Sequence, residues 1–462
     1  MLFNSESFLW FLLAFLLLYY AVRMSLSGRN LLILGASYLF YGWWDWRFLF
    51  LLMASSLVDF YVGLSIRKVA DVSRQKRLVL LSLVANLGAL GIFKYYDFFV
   101  GSFQNLLESM GWSAPFPMLH VILPVGISFY TFQSLSYTLD VYRGKVEPTS
   151  NLVAFLAYVS FFPQLVAGPI ERASNLLPQF LAERKVTKLG METGLWLIIW
   201  GMFKKVVLAD NFGLLSDMVY GDQQVEGAIV VLATIAFGFQ IYCDFSGYSD
   251  IARGIASMLG FSLMLNFNLP YFATSPSDFW RRWHISLSTW FRDYLYIPLG
   301  GNQAGSTAMM RNLMITMLVA GLWHGAGWHF VLWGLWHGAM LCLFTRVRLP
   351  GRLQPVGGWF LTMLIVFYGW LLFRAESLEH IVWLTSNLWL LRFPVWMGSY
   401  VLSLLTFMLP LLAMQVWQYR KGTMHPMLPL RPLFKASLMV ACIFLTAVFW
   451  NAEGTPFIYF QF

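Results

Sequence analysis

The chain has 462 residues, 59% of them from the AVILMFWYC set and only 11% charged. A soluble domain carries about twice that charge, which excludes water-soluble globular, disordered, collagenous and disulfide-scaffold classes. With 21 Trp, 42 Phe and a mean hydropathy of +0.64, the composition points to an all-α, polytopic membrane protein. At ~20 residues per crossing, about 10 to 12 spans with short loops use up the length, so one membrane-embedded domain over 1–462 is expected. The net charge of +9 is read as positive-inside topology, with no nucleic-acid partner. Cys243, Cys342 and Cys442 are far apart and form no CxxC pair, so neither a disulfide framework nor a thiolate metal site is suggested.

The first apolar run, 8–22, lacks a basic n-region and a small-residue cleavage site, and its positive charges, Arg23 and Arg29, follow it. It reads as a retained span with the N-terminus outside. The run 30–44 then crosses outwards to Asp45 and Arg47, and 48–66 returns to the basic cluster Arg67, Lys68, Arg74, Lys76 and Arg77. A fourth span covers 78–93, and 109–139 holds a loop plus a fifth, ending at Arg143 and Lys145. The stretch 148–170 is apolar but contains Pro163, Gly168 and Pro169 between basic flanks, which predicts a re-entrant or broken helix. Residues 312–345 carry no formal charge, 355–373 and 400–419 form a further pair of spans, and 436–450 runs outwards. That leaves 457–462 on the outer side or in a cavity opening there.

Segments that break the membrane pattern are the functional candidates, because polar groups at depth persist only where they face an interior or a water-filled cavity. In DFWRRWHISLSTWFRD (278–293), helical spacing puts Trp280, His284, Leu287 and Phe291 on one stripe and Arg281, Ser288 and Arg292 on another. This predicts one helix at the inner interface. It is either a plain lipid anchor or a helix whose Arg281, Arg282 and Arg292 attract the phosphates of a cytoplasmic donor while His284 faces inwards. In GLWHGAGWHF (321–330), glycines surround His324, an imidazole suited to general-base activation of a hydroxyl; the plain alternative is a histidine buried between helices. A metal is not expected: His324 and His329 are five residues apart, about 140° round a helix, and no HExxH pattern or carboxylate cluster supplies more ligands. The string QIYCDFSGYSDIAR (240–253) is a polar loop, or lines a polar cavity with 123–144 and 161–172.

The strings SFYTFQSLSYTLDVYRG (128–144), FFPQLVAGPIER (161–172), CDFSGYSD (243–250), DFWRRWHISLSTWFRDYLYIPLGGN (278–302) and GLWHGA (321–326) resemble the membrane-bound O-acyltransferases (MBOAT), in particular the bacterial branch that O-acetylates exopolysaccharides such as alginate or cellulose. The resemblance implies a helical funnel with a central tunnel, the signature histidine at His324 and a second family position at His284. It also implies acetyl-CoA as the cytoplasmic donor substrate, with no permanently bound cofactor. Donor and substrate contacts would come from Arg281, Arg282, Arg292, Trp323, Asp244, Ser246 and Tyr248. The last six residues, 457–462, fit F-x-Y-x-x-F through Phe457, Tyr459 and Phe462. They are similar to the terminal motif of a small partner protein in teichoic-acid D-alanylation whose tyrosine is proposed to carry the acyl group, here in cis; an aromatic interface anchor is the alternative.

These features together predict a multi-pass acetyltransferase of the bacterial inner membrane. Acetyl would pass through Tyr459 to a periplasmic SGNH-type partner acting with other exopolysaccharide-modification subunits. Direct O-acylation of a lipid, peptidoglycan or protein hydroxyl is the nearer rival, and a non-catalytic transporter or scaffold of a polysaccharide export complex is the other.

Overall fold

The computed structural model describes residues 1–22, 24–112, 115–221, 227–303, 305–346, 354–390, 392–451 and 455–458. Among them every regular element is a helix. The chain divides into two compact units, Met1–Thr187 with Ala256–Leu263, and Lys188–Ile255 with Met264–Phe462.

The first unit holds α1 (Glu6–Ala21), α2 (Leu26–Asp45), α3 (Arg47–Lys68), α4 (Val72–Leu90), α5 (Tyr96–Ser109), α6 (Ile127–Tyr142), α7 (Leu152–Val159), α8 (Phe162–Leu165) and α9 (Ala173–Leu181). Ser5, Ser25 and Asp71 each accept a main-chain N–H and start α1, α2 and α4 a few residues ahead of the apolar runs. The fourth span is longer than expected. A wider turn at Gly91–Tyr95 joins α4 to α5, making 38 continuous helical residues, Val72–Ser109. The stretch 148–170 is broken as its prolines predict, into α7 and α8. Helix α6 is buried almost all round. Its Thr138 (3.0 Å) and Ser134 donate to the carboxylate of Asp59 on α3, which also accepts from Ser82 and Asn86 (3.0 Å) of α4. A buried carboxylate with four neutral donors thereby ties three helices together.

The second unit holds α10 (Lys188–Met202), α11 (Asp210–Tyr220), most of α12 (Ala228–Met258), α13 (Pro276–Arg282), α14 (Ile285–Phe291), α15 (Ser306–His324), α16 (Trp328–Phe344), α17 (Gln354–Arg374), α18 (Leu378–Asn387), α19 (Met397–Lys421) and α20 (Pro432–Val448). The polar string 240–253 is no loop. It lies inside α12, where the helix meets its own hydrogen-bonding needs and the polar side chains find partners on neighbouring segments. Close backbone approach sets α12 beside α10: a Cβ at Gly201 would lie 2.7 Å from the Gly247 carbonyl oxygen, and one at Gly254 2.6 Å from that of Gly194. The charge-free stretch 312–345 is a hairpin, α15 and α16, turning at 325–327.

The stretches 123–144 and 161–172, expected to share a polar cavity with 240–253, fall in the first unit, whereas 240–253 falls in the second. Among the described residues five helices are long and apolar enough to cross a membrane: Arg47–Lys68, Val72–Ser109, Ala228–Met258, Pro355–Arg374 and Met397–Lys421. Shorter apolar helices include Glu6–Ala21, Trp328–Phe344 and Pro432–Val448. Large apolar side chains such as Trp10, Phe50, Leu402 and Phe444 are exposed on them, the arrangement of helices facing lipid. The chain is a multi-pass, helical membrane protein.

Candidate functional site

His284 breaks the helix that its own sequence pattern predicts. Helix α13 starts well, with Ser275 capping the Asp278 N–H and Pro276 in the first turn, and closes when the Trp283 N–H donates to the Phe279 carbonyl at 2.8 Å. His284 then adopts φ +42°, a left-handed conformation costing about 1–3 kcal/mol in a non-glycine residue, and α14 begins after it. The two stripes inferred across 278–293 therefore do not exist as continuous faces. The kink is held by main-chain hydrogen bonds from Asn268 N–H to the Arg282 carbonyl and from Ile285 N–H to that of Asn266, both 2.9 Å.

The kink delivers the His284 ring into the interior, 1% exposed. Asn266 Oδ1 lies 3.2 Å from His284 Nδ1 and also accepts from the Ser286 main-chain N–H at 3.2 Å and its hydroxyl at 2.9 Å. A main-chain N–H can only donate, so the Asn266 atom it meets is the oxygen, and the Nδ1 facing that oxygen carries the proton. Asn266 Nδ2 in turn donates to Ser249 Oγ on α12 at 3.2 Å. His284 lies outside the five spans. Burial pushes its pKa from 6.5 down to about 3, so the ring is neutral at physiological pH with its lone pair on Nε2.

His324 is the last residue of α15, 4% exposed. Its ring meets those of Trp333 (5.0 Å), Trp323 (5.1 Å) and Phe373 (5.4 Å). Trp323 also lies 6.0 Å from the His284 ring, so one indole touches both histidines. Glycine makes the hairpin that carries His324 possible. A Cβ at Gly325 would enter the Phe330 ring, and one at Gly321 would meet the Phe330 carbonyl. His329 opens α16, and His337 lies two turns further along it between Trp280 (5.1 Å) and Trp333 (4.9 Å). Neither is in ring contact with His284 among the contacts described.

The arginines are less available than the sequence suggests. Arg281 and Arg282 share one carboxylate, Asp278, at 4.0 and 3.0 Å, and Arg292 holds Asp293 at 2.7 Å. Exposed Arg281 and Arg292 still offer donors to solvent, but the local excess is one positive charge, not three. Ser246, Asp244 and Tyr248 also have other duties. Ser246 accepts from Lys204 Nζ at 2.9 Å, and Lys204 pairs with Asp250 at 2.7 Å.

Asp244 and Tyr248, one turn apart on α12, face the end of the chain. The Ile458 N–H donates to Asp244 Oδ2 at 2.7 Å, and the fully buried Phe457 ring lies 4.5 Å from Tyr248 and 5.6 Å from Phe245. The Phe245 ring is 4.5 Å from His284. Tyr459 and Phe462 lie outside the described residues.

Four residues that the sequence reading missed, Lys204, Lys205, Asp210 and Asn266, complete the site. Lys205 Nζ sits 2.8 Å from Asp210, 3.0 Å from Asp244 and 3.3 Å from the Pro456 carbonyl oxygen, and Asn266 fixes His284. The signal for the lysines was present: Lys204 and Lys205 are adjacent charges inside an apolar stretch, a costly placement that marks function. Asn266 gave none, because its role depends on a kink that hydropathy does not encode.

Residues 147–373 match the model of MBOAT, the membrane-bound O-acyltransferase family. The chain is 44% identical over 387 residues to the probable alginate O-acetylase AlgI of Pseudomonas aeruginosa, covering 82% of this chain and 73% of that protein. Its counterpart in Pseudomonas putida is 45% identical over 387 residues, covering 82% and 78%. A peptidoglycan O-acetyltransferase of Helicobacter pylori is 38% identical over 417 residues, again covering 82% and 78%.

Proposed function

The chain belongs to the membrane-bound O-acyltransferase family and is an acyltransferase, and from that premise we propose that it moves acetyl from cytoplasmic acetyl-CoA, across a bacterial inner membrane, to an exopolysaccharide such as alginate or cellulose. The observation that carries this reading is the meeting of two buried histidines on one indole, with the C-terminal segment seated against Phe245, whose ring also meets His284. Names of relatives in both Pseudomonas species supply the acetyl group and the polysaccharide.

In the proposed reaction the Tyr459 hydroxyl attacks the thioester carbonyl. His324 takes the phenolic proton, the C–S bond breaks, and the proton passes to the departing CoA thiolate, leaving an acetyl-tyrosine ester and free CoA. General-base help of this kind is worth ~10² to 10⁴-fold. Trp323 packs against both rings and excludes water, His284 orients the reacting groups, and Arg281, Arg282 and Arg292 draw in the phosphates of the donor. A periplasmic SGNH-type partner, working with other modification subunits, then moves acetyl from Tyr459 to a sugar hydroxyl and regenerates the phenol. The relay answers a physical need: CoA is polyanionic and cannot follow its acetyl group across ~30 Å of hydrocarbon.

The tautomer of His284 favours a second assignment of roles within this scheme. With Nδ1–H committed to Asn266, Nε2 has only a lone pair to offer, which fits His284 as the base and His324 as the group that steadies the thioester. The test of the relay is Tyr459→Phe in the producing cell. Loss of polymer acetylation with normal protein level in the membrane is expected; polymer that stays normally acetylated refutes it and moves the reading to direct acylation of a lipid, peptidoglycan or protein hydroxyl. Polymer secretion lost with acetylation retained in His324→Ala would instead fit a transporter or scaffold.

A further inference from the structure

We infer that Lys205, Asp210 and Asp244 form a cleat that grips the main chain of the C-terminal segment and sets the register at which it is presented; the inference rests on the relay proposed above. All three side chains act as positioning residues, not as groups that touch the reacting atoms. Lys205 is 1% and Asp244 2% exposed, in a cluster with two carboxylates and one ammonium. That leaves more carboxylates than ammonium groups in a largely buried cluster, with Asp244 fully inside and Asp210 partly exposed, which calls for further donors. The tail supplies them: the Ile458 N–H goes to Asp244 at 2.7 Å and the Thr455 hydroxyl to Asp210. In return Lys205 donates to the Pro456 carbonyl.

Two of these bonds are to main-chain atoms two residues apart, a C=O and an N–H, so the grip is on the backbone. The two main-chain bonds do not depend on the side chains at 456 and 458. Side-chain burial adds to them, with Phe457 beside Phe245 and Tyr248 and Ile458 also buried. The neighbouring Lys204 is committed to Ser246 and Asp250 and takes no part. Because Asp244 is followed directly by Phe245, which packs on His284, the cleat ties the tail to the part of α12 that touches the histidine. Tyr459 is one ~3.8 Å Cα step beyond the gripped Ile458.

The experiment is amide hydrogen exchange of the full-length protein in lipid nanodiscs, followed by mass spectrometry of the C-terminal peptide, run alongside labelling with isotopic acetyl-CoA. In wild type the tail is expected to be protected. Lys205→Met and Asp244→Ala are expected to speed its exchange at least about tenfold and to lower Tyr459 labelling by a similar factor. Ile458→Pro removes the gripped N–H without touching the cluster, so it is expected to act alike even where the buried variants misfold, whereas Ile458→Ala keeps the N–H and is expected to keep protection. Tyr459→Phe is expected to lose label and keep protection. Wild-type exchange in Ile458→Pro, or full labelling of a tail that exchanges freely, overturns the cleat. A protected wild-type tail that never takes label leaves the cleat as a dock and removes the relay instead.

Discussion

Asn266→Ala separates a positioning role from a packing role. The Asn266 oxygen accepts three donors, Ser286 N–H, Ser286 Oγ and His284 Nδ1, and the amide donates to Ser249. On truncation the Ser286 hydroxyl can turn to His284 Nδ1, 3.4 Å away, and the Ser249 hydroxyl can rotate. The Ser286 main-chain N–H cannot move and is stranded, since it lies in a fully buried residue. One stranded donor costs about 1–3 kcal/mol, so the variant folds with reduced stability. The chemical cost is separate. Without the oxygen the Nδ1–H tautomer is no longer enforced, and Nε2 loses its fixed lone pair. Loss of part of a base's contribution predicts a fall of about 10- to 100-fold in turnover per folded molecule. The assay is CoA release in nanodiscs, normalised to the monodisperse fraction after heating and size-exclusion. Asn266→Asp, which preserves the acceptor for all three donors, is expected to recover stability ahead of turnover, because its charge favours the imidazolium. Turnover per folded molecule equal to wild type in Asn266→Ala would refute the claim that this amide sets the state of His284.

Other outcomes follow from the same geometry. Asp59→Ala strands donors on α4 and α6 and is expected to destabilise the first unit by about 3 kcal/mol, read as thermal stability in detergent, with Asp59→Asn intermediate. Gly321→Ala pushes a methyl against the Phe330 main chain and should cost about 1–3 kcal/mol while displacing His324, so turnover falls further than stability; unchanged turnover would contradict the tight-hairpin account. A folded pKa of about 3 for His284, below its unfolded value of 6.5, means its contribution to stability is complete above pH 6.5 and is lost as pH falls through 3. Its neutral, base-competent form is accordingly present throughout about pH 5 to 8. If His284 is the base, the acid limb of transfer activity should lie well below 6.5; a limb centred at 6.5 that His284→Gln leaves in place would assign the proton to another group.

Much of the helical map was legible because each early run is bounded by charge: Arg67 and Lys68 close α3, and Arg420 and Lys421 close α19. What failed were one break and one continuation that no proline marks. A wider turn at Gly91–Tyr95 prolongs a span that hydropathy ends, and a positive φ at His284 severs a helix that periodicity draws as one. Neither feature changes composition. His324, His284, Asp244, Tyr248 and Phe457 were legible as polar or motif residues out of place in an apolar chain, yet their grouping was not. The sequence reading named Asp244 and Tyr248 as substrate or donor contacts; the fold adds that they meet the tail, a contact between residues 214 positions apart for the Asp244–Ile458 pair. Lys205 was legible as a charge inside an apolar stretch, but its distant partners Asp244 and Pro456 were not, since no local spacing announces them.

The most direct test of the central claim is peptide mass spectrometry of purified protein incubated with isotopically labelled acetyl-CoA, comparing wild type, His324→Ala and Tyr459→Phe. Label on Tyr459 in wild type and on neither variant is the expected result. Thioester consumed in the presence of an acceptor, with no label ever on the tail, would contradict it.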